Sequence, residues 1–344
     1  MSRASPPDAA VRRRSGGLWL LAALLPCLAL LAVALGRYPV AGFAPLRDLP
    51  TDPMLRAIVL DVRLPRVLLA LLAGAMLAGA GFVFQMVFAN PLVEPGFLGV
   101  SQGAALGASA VIVAWGWTPL GVQAAAAGGA LLGLLATCLL ARRFRFGGWI
   151  LRLVLAGMAV SAVLGAALAF VKLVAEPSRD LQDITLWMMG GLWNASFPAL
   201  ASVAPASLAA LALLFAMRWR LNLLSLPDRT AHSVGMDPRR GKTVLLVAAA
   251  VGTASVISVC GLVGWVGLLV PHLARALFGA DARRALPASM LLGAALVLLC
   301  DTAARSLLPG EIPLGLLTSL LGAAGFCVMV SRRSPFRTTA KDAP

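Results

Sequence analysis

An all-α, polytopic membrane helical bundle of about ten helices is the fold class this sequence predicts, and three observations point to it. Of 344 residues, 60% are hydrophobic and 12% charged, with a mean hydropathy of +0.90, a balance from which no ordinary water-facing surface can be assembled. The apolar residues fall in runs of roughly 20, the length a helix needs to cross a hydrocarbon core of about 30 Å. Short segments containing charge, Pro and Gly separate the runs and leave no room for a sizeable soluble domain. Residues 1–344 therefore read as one transmembrane domain, membrane-spanning over 18–331.

Taken in order, the first span covers 18–36. It follows Arg12, Arg13 and Arg14 and has the outline of a cleaved signal peptide, but it is long enough to span and more spans follow. Further spans are predicted at 67–88, 96–115, 121–141 and 153–171. A short helix is expected around Ile184 to Trp193, then a span at 198–217. The connection 218–242 is the longest on its side, basic and helix-prone. Spans at 243–260 and 262–278 are separated at Cys260–Gly261, and the last two cover 286–304 and 314–331. Small residues recur at helical spacing on Gly74, Ala78 and Phe82, on Gly99, Gly103 and Gly107, and on Gly128, Leu132 and Ala136. Such faces let helix backbones approach closely. GFVFQMV at 81–87 echoes GWVGLLV at 264–270.

Lys and Arg exceed Asp and Glu by 29 to 14. With ten spans and the N-terminus inside, 21 of the 29 basic residues fall on one side, which that asymmetry assigns to the cytoplasm. The positive charge thus records orientation, and no nucleic-acid partner is expected. Cys27, Cys138, Cys260, Cys300 and Cys327 lie in or beside apolar runs without CxxC spacing, so they read as small core residues rather than ligands. The only histidines are His232 and His272, and no HExxH, GxSxG or Walker A spacing occurs. No catalytic or metal-binding residue is expected. Intramembrane charge is scarce beyond Asp301 and Arg305, whereas an ion-driven carrier usually needs titratable groups at mid-membrane. Energy is therefore expected to enter from outside this chain.

The stretch RLPRVLLALLAGAMLAGAGFVFQMVFANPLVEPGFLGVSQGAALGA at 63–108 closely resembles the signature of FecCD-type permeases, subunits of ABC importers for iron–siderophores, haem and cobalamin. WMMGGL at 187–192, LNLLSLPDRTAHSVG at 221–235, GLVGWVGLLVPHLAR at 261–275, LPASMLLGAALVLLCDTAAR at 286–305 and EIPLGLLTSLLGAAGF at 311–326 agree with that family in order and spacing. The resemblance implies a type II ABC importer permease with two pseudo-symmetric inverted halves. It also implies a second copy of the chain, a dimer of cytoplasmic ABC ATPases that supplies the ATP and Mg chemistry, and a periplasmic substrate-binding protein. The setting is the bacterial inner membrane with both termini cytoplasmic.

Residue roles are carried over by the same resemblance. Arg63 and Arg66 in RLPR and Arg305 at the outer end of span nine would receive carboxylates of the binding protein, since charge-assisted pairs orient a partner and speed encounter. The competing reading has these arginines snorkelling to lipid phosphates or pairing locally with Asp61 and Asp301. Asn222, Leu223, Leu224, Leu226, Asp228, Ala231 and Gly235 would form two short helices docking on the ATPase, with Pro227 in place of the family's usual glycine and Asp228 in place of its common glutamate. Asn90 and Leu92 in the NPL turn, with Ile150 and Leu151, would form the inner gate. Asn90 has an alternative as an Asx turn before Pro91, and Ile150 and Leu151 are apolar where relatives often carry hydroxyls. His272 reads as hydrogen-bonded structure rather than a haem ligand, and Met188 and Met189 as packing. GAAGF lacks the family's usual proline, so the last helix should be less kinked. Cargo is ranked iron–siderophore, haem, then cobalamin. The rival function is an ion-coupled secondary transporter, with a membrane-bound enzyme third.

Overall fold

The computed structural model describes residues 7–38, 42–226, 228–233, 235–308 and 310–332. Its helices are α1 (Pro7–Ala34), α2 (Pro53–Ala57), α3 (Leu64–Val87), α4 (Val100–Trp115), α5 (Pro119–Arg143), α6 (Trp149–Val174), α7 (Asp180–Met189), α8 (Phe197–Ala216), α9 (Arg218–Leu224), α10 (Asp228–Ser233), α11 (Pro238–Cys260), α12 (Val266–Phe278), α13 (Ala282–Ser306) and α14 (Leu314–Arg332). Seven helical stretches among the described residues are long and apolar enough to cross a membrane. Three shorter apolar helices, α4, α12 and α14, complete the ten expected spans. The only strands among the described residues, Leu35–Gly36 and Gly42–Phe43, form one small antiparallel pair.

Most boundaries fall where hydropathy put them, and the second span is the main exception. It starts at Pro53 rather than 67, because α2 and α3 are joined by a π-helical turn over Ile58–Arg63 into one stretch, Pro53–Val87. Asp52 starts it: its side chain accepts from the backbone N–H of Met54 and Leu55 at 2.9 and 3.0 Å, with Pro53 in the first turn where its missing N–H costs nothing. The charges at 61–66 that mark a boundary in the sequence lie within this helix. The short helix α7 likewise begins earlier than expected, and its two first-turn aspartates, Asp180 and Asp183, suit the positive end of the helix dipole. The break between α11 and α12 falls at Gly261 as anticipated, with Gly261 and Trp265 both at positive φ.

α3 is the central helix. It buries Leu69, Met76, Phe82 and Phe84 completely and meets two other helices at backbone distance. A Cβ on Gly74 would lie 2.2 Å from the carbonyl oxygen of Gly293 in α13, and one on Gly81 would lie 1.9 Å from that of Gly267 in α12. The two echoing segments thus pack on each other. α4 and α5 make a third close pair in which Gly103 opposes Gly129 and Gly107 opposes Ala125. Here the sequence reading is corrected: the α5 face in contact runs through Gly129 and Gly133, whereas Leu132 and Ala136 are exposed and Gly128 faces open space. A shift of one residue turns a helix by about 100°, and α5 is small and apolar on every side, so its hydropathy does not reveal which side packs.

Candidate functional site

Three groups of residues carry the functional expectations, and the first gathers where α1 and α13 end and α3 begins. Asp301 is completely buried. Arg66 grips it with Nε at 2.9 and 3.1 Å from the two carboxylate oxygens and Nη2 at 2.8 Å from Oδ1, the bidentate geometry that guanidinium and carboxylate planes share. The other side of Arg66 pairs with Glu311. Arg305 lies one helical turn beyond Asp301, with Nε 3.6 Å from Oδ2. It donates to the carbonyl of Leu35 at 2.7 Å and to that of Ala32. Arg63, buried by the π turn, donates to the carbonyls of Val33 and Ala34 at 3.2 Å and of Tyr38 at 3.1 Å.

Two arginines from elsewhere in the chain therefore cap the carbonyl end of α1, where helix geometry leaves acceptors unfilled and the dipole favours cations. The expectation of three arginines presented outward to a partner differs from this arrangement. Of its alternatives, local pairing with Asp301 describes Arg66 and Arg305, while Asp61 stays exposed. Exposed arginines at this end include Arg37, Arg47 and Arg56. Glu311 is a member of the network that the sequence reading did not single out. Its signal was available, as an acid just ahead of the last span.

At the opposite end, α3 leads into the NPL turn. Ala89 takes positive φ, 47°, and the Asn90 side-chain oxygen accepts from the N–H of Leu92 at 2.9 Å, an Asx turn. Asn90 thus shapes this turn, and Leu92 projects from it, half exposed. Burial pushes the carboxyl of neighbouring Glu94 above its ordinary range. The short 3₁₀ turn Pro95–Leu98 then packs on α6, where a Cβ on Gly157 would meet the carbonyl oxygen of Phe97 at 2.3 Å. Ile150 and Leu151 open α6 at this same end, Ile150 partly buried and Leu151 half exposed. Gln85, near the end of α3, ties the turn to α12: its amide donates to the carbonyls of Gly267 and Leu268 at 3.2 and 3.1 Å, and its oxygen accepts from Arg275. Sequence reading passed over Gln85, although one amide in an otherwise apolar run is a visible signal.

The third group lies on the same side. α9 and α10 are the two short helices expected in 218–242. Asn222 anchors them by a two-way amide clamp, donating from Nδ2 to Asp281 at 2.7 Å and accepting the N–H of Ala282 at 2.8 Å. Asp281 itself caps α13. The bond from Arg283 holds its carboxyl down to about 2, helped by Asn222 and opposed by burial. Leu223 and Leu226 are exposed, but Leu224 and Ala231 are fully buried, so the expected apolar docking face contains only part of the expected set. Leu224 instead packs over Gly241 in α11. Trp219, exposed with Arg283 stacked 4.7 Å over its ring, joins Leu223 and Leu226 on the outside of α9. Gly235, at φ +78°, returns its N–H to the carbonyl of His232 and closes α10. The side chain of Asp228, and Pro227 beside it, lie outside the described residues.

His272 has Nδ1 3.0 Å from the carbonyl of Leu268 on its own helix. Met188 packs against the main core, and α14 runs unbroken from Leu314 to Arg332. Among the described residues, no group of three or more His, Cys, Asp or Glu side chains is placed to hold a metal ion.

A bundle of ten apolar helices carries two short helices at one end and an ion network at the other, and its relatives make it a membrane-embedded permease of the ABC-importer kind. The family model described as the FecCD transport family matches residues 22–332, and the chain belongs to that family. It is 40% identical over 279 residues to a Helicobacter pylori protein named as a probable iron chelatin transport system permease, covering 81% of this chain and 83% of that one. It is 38% identical over 325 residues to the hemin transport system permease protein HmuU of Yersinia pestis, covering 93% and 97%. A solved inward-facing metal-chelate type ABC transporter superposes with a TM-score of 0.84 at 33% identity, over 92% of this chain and 99% of that one.

Proposed function

We propose that this permease imports a bulky metal chelate across the bacterial inner membrane, iron–siderophore first, haem second and cobalamin third. It works as a homodimer on a pair of cytoplasmic ATPases that bind the ATP and Mg, and it receives cargo from a periplasmic binding protein. Both termini and the basic connections face the cytoplasm, a reading supported by the one-sided distribution of Lys and Arg. The names of relatives that handle iron chelatin and hemin support the cargo class.

The observation that carries the mechanism is the Asn222 clamp. A partner that grips exposed Trp219, Leu223 and Leu226 moves α9, and the paired amide bonds pass that displacement to the start of α13. α13 is packed against α3 at backbone distance through Gly74 and Gly293, and α3 ends in the turn bearing Asn90 and Leu92. Leu92, Ile150 and Leu151 form the inner gate, which closes by excluding water. At the outer end, a carboxylate of the binding protein takes the place of Glu311 on Arg66, while Arg63 and Arg305 hold α1 and the rim in shape. Alternating access is then a shift between two packings biased by nucleotide on one side and by the binding protein on the other.

The test is uptake in proteoliposomes. Accumulation of an iron–siderophore should require the ATPase and ATP, and should be lost in a Leu223→Asp plus Leu226→Asp variant. Accumulation by this chain alone, abolished by a proton uncoupler, would establish the ion-coupled alternative instead.

A further inference from the structure

The cleft bounded by α5, α6 and α11 at the basic end has no role in the transport scheme. Its volume is about 550 Å³. The deep wall is apolar, made by Leu134, Leu153, Leu246 and Val247, and it continues onto Leu131, Leu135 and Leu139 of α5, all exposed along the bundle's side. The mouth is the reverse in character. Arg142, Arg152, Arg239 and Arg240 line it against a single acid, Asp237. That acid is already engaged in capping α11 through the N–H of Arg240 at 3.1 Å. α6 and α11 both begin at the cleft, so two positive helix ends add to the four guanidinium groups.

Two donors in the cleft's wall are sealed from its open space. The Trp149 indole Nε1 and the Arg152 Nε are buried with no hydrogen-bond acceptor, although Arg152 is held in place by an Nη1 bond to the carbonyl of Phe144 at 3.0 Å. The four guanidinium groups at the mouth, with one acid already engaged, mark a position for an anion. A small inorganic anion would satisfy the mouth and leave the apolar wall empty. A phospholipid fills both.

We propose that this cleft binds an anionic phospholipid of the leaflet bordering the basic end. Its phosphate sits between Arg152 and Arg240, and an acyl chain lies along Leu134, Leu153 and Val247. Basic pockets between transmembrane helices suit such headgroups, and a zwitterionic lipid is disfavoured because its ammonium would face the same arginines. The site stands on the cleft alone and is independent of which cargo the permease carries.

Native mass spectrometry of the full chain in detergent tests this, with dioleoyl phosphatidylglycerol as probe. Wild type should retain one such lipid per chain and no dioleoyl phosphatidylcholine. Arg152→Gln plus Arg240→Gln should weaken retention about thirtyfold, from roughly a factor of five per basic residue removed. Arg143→Gln plus Arg145→Gln, at exposed positions outside the cleft, should leave retention unchanged. Equal retention by wild type and the Arg152→Gln plus Arg240→Gln variant would overturn the proposal. Displacement of the lipid by millimolar inorganic phosphate would also overturn it, in favour of a free-anion site.

Discussion

Adjacent glycines in α5 face opposite circumstances, and substituting them separately tests the packing scheme. A Cβ at Gly129 would sit 2.1 Å from the carbonyl oxygen of Gly103 and 3.3 Å from the Cα of Gly107, whereas one at Gly128 would have nothing within 4 Å. The obstacle at Gly129 is backbone, which cannot rotate aside. Restoring ordinary contact from 2.1 Å to at least 3.4 Å parts α4 and α5 by about 1.3 Å and loosens the neighbouring contacts at Gly103, Gly107 and Gly133. Overpacking of this kind costs ~1–3 kcal/mol. Alanine's better helix propensity returns up to about 1 kcal/mol at either site, so Gly128→Ala is the internal reference. Relative to it, Gly129→Ala should be less stable by about 2 kcal/mol, visible as a thermal midpoint several degrees lower for the purified chain in detergent. Coincident melting of the two variants would refute the α4–α5 register and the argument from close backbone approach.

The ion network predicts a larger effect. Asp301→Asn removes the carboxylate that Arg66 and Arg305 share and should destabilise the chain by about 3–5 kcal/mol, as unpairing a buried charge does; chemical unfolding in mixed micelles measures it. Asp281 predicts an acid limb. Because the folded carboxyl is held at about 2, below its ordinary 3.8, its contribution is complete above about pH 4 and disappears as pH falls through about 2. Asp281→Asn should flatten that limb in thermal midpoints recorded from pH 6 to pH 2. Asn222→Ala breaks the clamp without altering exposed Leu223 or Leu226, so the complex should still assemble and hydrolyse ATP while uptake per ATP falls severalfold. Unchanged coupling in a transport-to-hydrolysis assay would show that the displacement takes another route.

The ten apolar helices were legible because a bilayer sets a minimum length on crossing segments, and even α4 and α12, two of the three shorter ones, announced themselves by their glycine and proline boundaries. Side assignments were less legible. Gly128 and Gly129 are indistinguishable by hydropathy, and Leu224 and Leu223 look equally suited to meet a partner until the fold buries one under Gly241. The arginines were partly legible in a different way. Their motif positions were readable, but their partners, Asp301 and the carbonyls ending α1, lie up to hundreds of residues away. No local pattern encodes that a π turn rotates Arg63 inward. Asn90 was readable in its local role because an Asx turn depends only on the two residues that follow.

The guanidinium cap on α1 sets an order of events during synthesis. Arg63 can reach Val33 and Ala34 as soon as the next helix emerges, but Arg305, which holds Ala32 and Leu35, is made 270 residues after Leu35. α1 therefore stays half-moored while the 270 residues that separate Leu35 from Arg305 are made, and it becomes fast only when α13 has joined it.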